Sequence, residues 1–194
     1  MRHGRTLGRD GGLTILELVM ALAILAAAFG VAYQYLYHGF AGWDRVAAVS
    51  RAEQEGRLAI LRMADEVRQA QKATEAHDAV TVSATQLDIY VDINGDGRPE
   101  LVRYRLDEGR LERAVIPAEG SQFPYTYTGA PESCETVVST VINGDAEPLF
   151  VLDSAYLPRL VVNVNLIIDD ASVPLSRPIT VQAALAVRSR GVAK

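Results

Sequence analysis

Cysteine is almost absent from this chain of 194 residues, where Cys134 stands alone. An intramolecular disulfide is therefore excluded, and so is a thiolate metal cluster. The lone thiol is expected to be buried, with pairing to another chain as the alternative. Histidine is nearly as scarce: His3, His38 and His77 lie scattered, without metal-ligand spacing. Proline is missing before Pro99, so nothing forces a break in a long amino-terminal helix. Gly30, Gly39 and Gly42 weaken such a helix only locally. The chain has no nucleophile elbow, no phosphate loop, no dinucleotide fingerprint, no internal repeat and no low-complexity tract. The carboxylate pair Asp169-Asp170 falls in a turn and reads as solvated. Nothing in the sequence supports an enzyme.

A surplus of positive charge is also lacking. The formal net charge is −5. The first twelve residues hold Arg2, Arg5, Arg9 and Asp10, a net of +2, so the remainder carries −5 − 2 = −7. An acidic body does not favour nucleic acid or anionic lipid as partner. A basic start before an apolar run fits the positive-inside rule, with the leader in the cytoplasm and the acidic remainder exported.

That run is the chain's most informative stretch. Gly11 to Leu25 reads GGLTILELVMALAIL, apolar except for one carboxylate, Glu17. A charge near the centre of a bilayer costs about 2.5–3.5 kcal/mol on translocon scales, so it marks a functional site by default. From Leu13 to Tyr37 the chain is long enough to span a bilayer, which needs about 20 residues. Tyr33, Tyr35 and Tyr37 at its far end suit an interfacial belt. An ordinary signal peptide cut after Ala26-Ala27-Ala28 is the competing reading, as is a plain anchor. Glu17 argues against the signal peptide, because the apolar core of such peptides rarely holds a charge.

Gly12-Leu13-Thr14-Ile15-Leu16-Glu17-Leu18 resembles the type IV prepilin signature. In that family a membrane aspartic peptidase cuts after the glycine and methylates the new amine. The resemblance places the cut between Gly12 and Leu13 and makes Glu17 the assembly glutamate. It would meet the Leu13 amine of an adjacent subunit, offsetting its desolvation and selecting register. Leu13 departs from the usual phenylalanine. The segment Arg51–Ala70, ending Glu66-Val67-Arg68-Gln69-Ala70, is similar to minor pseudopilin J of type II secretion and to W-type minor pilins. So is Tyr90–Gly97 followed by Val102-Arg103-Tyr104-Arg105-Leu106. The resemblance implies prepilin peptidase, other pilin or pseudopilin subunits and the inner membrane as partners. It implies a single-pass precursor with a periplasmic carboxy-terminal domain, later part of a filament or its initiating tip.

The expected fold is α+β and pilin-like: a long helix packed on an antiparallel β-sheet domain. Its parts are a leader (1–12), a membrane or filament-core helix (13–37), an amphipathic continuation (38–72) and a sheet domain (73–194) with a variable loop at 117–148. On the continuation, Trp43, Val46, Ala47, Leu58, Leu61, Ala64 and Val67 form one stripe expected to be buried. Arg57, Arg62, Asp65, Glu66 and Arg68 read as a solvated charged face, with some inter-subunit salt bridges possible. Strand signals cover Ala79–Ser83, Leu87–Asp92, Glu100–Leu106, Arg110–Ile116, Arg159–Ile168 and Ile179–Arg188, with a weaker one near Thr136–Ile142.

Asp92-Ile93-Asn94-Gly95-Asp96-Gly97-Arg98-Pro99-Glu100 places oxygen side chains at loop positions 1, 3, 5 and 9, with glycine at 6. This resembles the first part of an EF-hand calcium loop, in which Asp92, Asn94, Asp96 and Glu100 would hold the ion. Arg103 stands where the loop's bidentate glutamate belongs. A polar hairpin turn without any ion explains the same residues. A membrane-anchored, calcium-dependent binding or adhesion module is thus the alternative function.

Overall fold

The computed structural model describes residues 14–72, 79–144, 146–153, 160–169 and 177–187. The fold is α+β, one helix followed by two antiparallel sheets. Two compact units divide the chain at Asp44. In the first unit, every described side chain from Thr14 to Phe40 is exposed, and the helix there is long and apolar enough to cross a membrane.

Helix α1 runs over Ile15–Gln69. Sheet one is a meander of β1 (Val80–Val82), β2 (Gln86–Val91), β3 (Glu100–Asp107), β4 (Arg110–Ile116) and β5 (Ser133–Val138). Sheet two is β6 (Phe150–Asp153), β7 (Val161–Ile168) and β8 (Ile179–Ala186). Within each sheet, strands pair only with their neighbours in the chain. The β3–β4 connection is tight because Glu108 and Gly109 both take positive φ, 45° and 76°. That is the hairpin geometry whose twist matches the flanking strands.

In the second unit one core joins α1 to both sheets. Ala52, Ala59, Met63, Val67 and Ala70 pack with Leu87, Ile89, Val102, Tyr104 and Leu111 of sheet one and with Phe150, Val164, Leu166 and Ile168 of sheet two. Alternation along the strands sends Tyr90 and Leu101 to the opposite face, where they and Ile116 meet Tyr127.

The buried stripe of α1 is not the expected one. Ala64 and Val67 are buried, but Trp43, Val46, Leu58 and Leu61 are exposed, and so is Ala47. Ala48, Ala52, Gly56, Ala59, Met63, Val67 and Ala70 turn inward instead. The sheets supply large side chains such as Tyr104, Phe150, Leu166 and Ile168, so the helix must supply small ones. A Cβ built on Gly56 would lie 2.9 Å from Ile168 Cδ1 and 3.0 Å from Val181 Cγ2. At this point only glycine leaves the neighbouring side chains undisturbed.

Two further expectations change. The weak strand expected near Thr136–Ile142 within the segment 117–148 lies a few residues earlier, as β5, which extends sheet one and buries Val138. Cys134 lies on β5 and is exposed rather than buried. Beyond this strand sheet one has no further neighbour among the described residues.

Candidate functional site

Glu17 sits in the first turn of α1. Its Oε2 accepts hydrogen bonds from the Thr14 N–H and the Thr14 hydroxyl, both at 3.1 Å. In return the Thr14 hydroxyl oxygen accepts from the Glu17 N–H at 3.3 Å. This reciprocal exchange is a capping box, which satisfies two of the donors that every helix start leaves orphaned. The spacing Thr14-x-x-Glu17 carries that signal in the sequence. The carboxylate is therefore partnered within its own chain as the helix begins. Gly12 and Leu13, the expected processing residues, lie outside the described residues.

The acidic loop joins β2 to β3. Asp92 Oδ1 accepts from the Gly95 N–H at 2.7 Å, and Asp92 Oδ2 from the Gly97 N–H at 2.9 Å. Asn94 Oδ1 accepts from the Asp96 N–H, and Asp96 Oδ1 from the Arg98 N–H, each at 2.8 Å. Gly95 and Gly97 hold φ of 78° and 84°, which wind the loop tightly around Asp92. Glu100, nearly buried at the start of β3, reaches back to accept from the Ile93 N–H at 2.7 Å. Carboxylate oxygens of Asp92, Asp96 and Glu100 consequently lie within 4.8 Å of one another.

Two arginines bound what this loop can do. Arg98 pairs with Asp96, with Nη2 to Oδ2 at 2.6 Å. Its hydrogen bonds hold the Asp96 carboxyl below the usual carboxylate range. Arg103 forks onto Asp88, directly across the β2–β3 ladder, at 2.9 and 3.0 Å. The position of a twelfth calcium-loop ligand is thus occupied by a cation already committed elsewhere. Hard oxygen donors at Asp92, Asp96 and Glu100 fit a calcium ion in kind, but the set is incomplete by EF-hand standards.

The long loop after β4 leans on this corner. The Tyr127 hydroxyl donates to the Pro99 carbonyl at 2.7 Å, and its ring sits 5.1 Å from that of Tyr90. Burial pushes the Tyr127 hydroxyl pKa well up. A cavity of about 100 Å³ opens between the loops, lined by Asn94, Asp96, Arg98, Glu100, Pro117, Ala118 and Glu132.

A third cluster escaped the sequence reading. Glu66, expected to be solvated, points into the helix–sheet boundary. Its Oε1 accepts from Arg113 Nη2 at 2.6 Å and Nε at 3.0 Å, and its Oε2 accepts from the Tyr104 hydroxyl at 2.7 Å. Arg62 bridges to Glu135 at 2.6 Å and lies 3.7 Å from Glu66. Burial alone would lower the Arg113 pKa, but Glu66 raises it above its ordinary value. Burial, reinforced by the Glu66 charge, pushes the Tyr104 hydroxyl pKa far up. Glu66 and Arg113 lie 47 residues apart in the chain, so no local pattern announces the cluster. Arg57 and Arg68 do behave as expected, in exposed pairs with Glu53 and Asp65.

Comparison of the chain with protein-family models, with curated proteins and with solved structures finds no match.

Proposed function

We propose that this chain is a minor pilin or pseudopilin, a structural subunit of a type IV pilus or type II secretion pseudopilus. The observation that carries the reading is an apolar helix, exposed from its first turn through Phe40, whose one carboxylate sits in that first turn. An exposed surface of this kind asks for lipid before assembly and for neighbouring helices after it. In this reading the precursor sits in the inner membrane with its sheet domain in the periplasm. Prepilin peptidase cuts between Gly12 and Leu13 and methylates the Leu13 amine. Glu17 then exchanges its Thr14 partner for the Leu13 amine of an adjacent subunit, which offsets the cost of carrying a charge into a helix bundle.

Intact mass spectrometry of the protein made alongside a prepilin peptidase tests the processing step. The expected mass corresponds to a chain starting at Leu13 with one added methyl group. A start at Phe29, or an uncut Met1, refutes the reading.

The convergence of Asp92, Asp96 and Glu100 favours a second reading, calcium binding by the β2–β3 loop. Titration calorimetry of the full chain in detergent is expected to show calcium-dependent heat that an Asp96→Ala variant loses. The absence of heat in the unmodified protein ends this reading and leaves a polar turn.

A further inference from the structure

The tetrapeptide Ile-Asn-Gly-Asp occurs twice, at 93–96 and at 142–145. Asparagine followed by glycine is the pair most open to intramolecular deamidation. The glycine nitrogen attacks the asparagine Cγ, a C–N bond forms, and the side-chain nitrogen leaves as ammonia. Water then opens the cyclic imide to an aspartate or an isoaspartate. Glycine favours the step because no Cβ obstructs the approach. The local sequence is the same at both copies, so the fold decides any difference between them. It treats them in opposite ways. Asn143 is half-buried and its whole amide is committed. Its Nδ2 donates to the Asn165 carbonyl at 2.7 Å and to the Glu147 carbonyl at 3.0 Å, and its Oδ1 accepts from the Ile167 N–H at 2.9 Å. The side chain thereby takes the place of a strand partner beside β7. Attack at its Cγ would break all three bonds.

Asn94 is exposed, and its Nδ2 has no partner among the described residues. Its Oδ1 accepts from the Asp96 N–H at 2.8 Å. A donor there polarises the side-chain carbonyl and stabilises the charge that grows on this oxygen during attack. The attacking nitrogen already faces a base, because the Gly95 N–H donates to Asp92 Oδ1 at 2.7 Å. We propose that Asn94-Gly95 is a self-modifying step, with Asp92 as proton acceptor and the Asp96 N–H as oxyanion donor, while β7 holds Asn143 unreactive. The Gly95 proton passes to Asp92 as the C–N bond forms, and from there to the departing nitrogen. Over both stages one water is consumed and one ammonia released, so no oxidant or cofactor is needed. The product places a carboxylate beside Asp92, Asp96 and Glu100 and gives the loop one more negative charge. That charge strengthens the attraction of the loop for a divalent cation. This consequence rests on the calcium reading, whereas the conversion does not.

The test ages the full chain in detergent at neutral pH with a chelator present, and follows both asparagines by peptide mapping and mass spectrometry. Position 94 is expected to convert about tenfold faster than position 143, or more. In denaturant the two positions should convert at like rates, since the tetrapeptides are identical. Asp92→Asn is expected to slow conversion at position 94 and to leave position 143 unchanged. Equal rates at the two positions in the folded chain overturn the proposal. A difference that persists in denaturant overturns it too, because flanking sequence rather than the fold would then be its source. Conversion at the unmodified rate in a folded Asp92→Asn chain overturns the part given to Asp92. If that variant does not fold, the comparison of folded with denatured chain still decides. The chelator removes calcium and no step needs cleavage at Leu13, so failure here is told apart from failure of either functional reading.

Discussion

Substitution at Gly56 measures how closely the helix and sheet two approach. Alanine there gains about 1 kcal/mol of helix propensity over glycine. Its methyl would sit 2.9 Å from Ile168 Cδ1 and 3.0 Å from Val181 Cγ2. Overpacking of that kind costs about 1–3 kcal/mol. The two effects nearly cancel, so Gly56→Ala is expected to lose between roughly 0 and 2 kcal/mol. Valine keeps little of the propensity gain and adds two more methyl groups beside fully buried Ile168. Gly56→Val should therefore lose about 2–4 kcal/mol. For a chain of this length that corresponds to a fall in Tm of about 5–10 °C. The assay is thermal melting of the full chain in detergent, followed by far-UV circular dichroism. Gly39→Ala is the control, because nothing lies within 4 Å of a Cβ built there. A Gly56→Val protein that melts with the wild type would refute the close approach and the small-residue face it anchors.

Further outcomes follow from the Glu66 cluster and from the two tyrosines whose hydroxyls are held neutral. Glu66→Ala leaves Arg113 nearly buried beside only the more distant Glu135, at 3.4 Å, and should cost about 3–5 kcal/mol in denaturant melts. Arg62→Ala, whose side chain is 44% exposed, should cost no more than about 1 kcal/mol in the same assay. Tyr104 and Tyr127 have folded-state pKa values raised above their ordinary 10.0. Their contribution is fully present below pH 10 and is lost as pH rises toward the folded values, because the unfolded chain ionises first. Absorbance titration at alkaline pH should show these two tyrosines ionising only as the protein unfolds, and Tyr104→Phe should remove one of the late steps.

Much of the architecture could be read from the sequence wherever the signal was local. The bounds of β4 match the expected Arg110–Ile116, since a glycine turn and Pro117 bracket it. β7 and β8 fall within the expected Arg159–Ile168 and Ile179–Arg188 because their apolar runs are long. β6 went unseen: Phe150–Asp153 has four residues and no alternation, and its pairing with β7 is what makes it a strand. β5 was expected near Thr136–Ile142 and lies at Ser133–Val138, an edge strand with mostly exposed residues and so little hydrophobic pattern. The helix orientation was misread for a similar reason. Periodicity favours the largest apolar residues, Leu58 and Leu61, but the size of the sheet's own side chains decides which face fits. In the acidic loop the sequence pointed to the residues that converge, Asp92, Asp96 and Glu100. It did not reveal that Arg103 is held by Asp88, because that pairing depends on cross-strand register.

Strand order bears on how the chain reaches this structure. Each sheet pairs strands that are neighbours in the chain, so its pairings are local in sequence and can form as soon as the residues are available. The seat of the helix is different. Gly56 meets Ile168 and Val181, over a hundred residues later in the chain. The close approach at Gly56 must therefore wait for the last strands to be synthesised, and a truncation before β7 would leave that glycine without its cover.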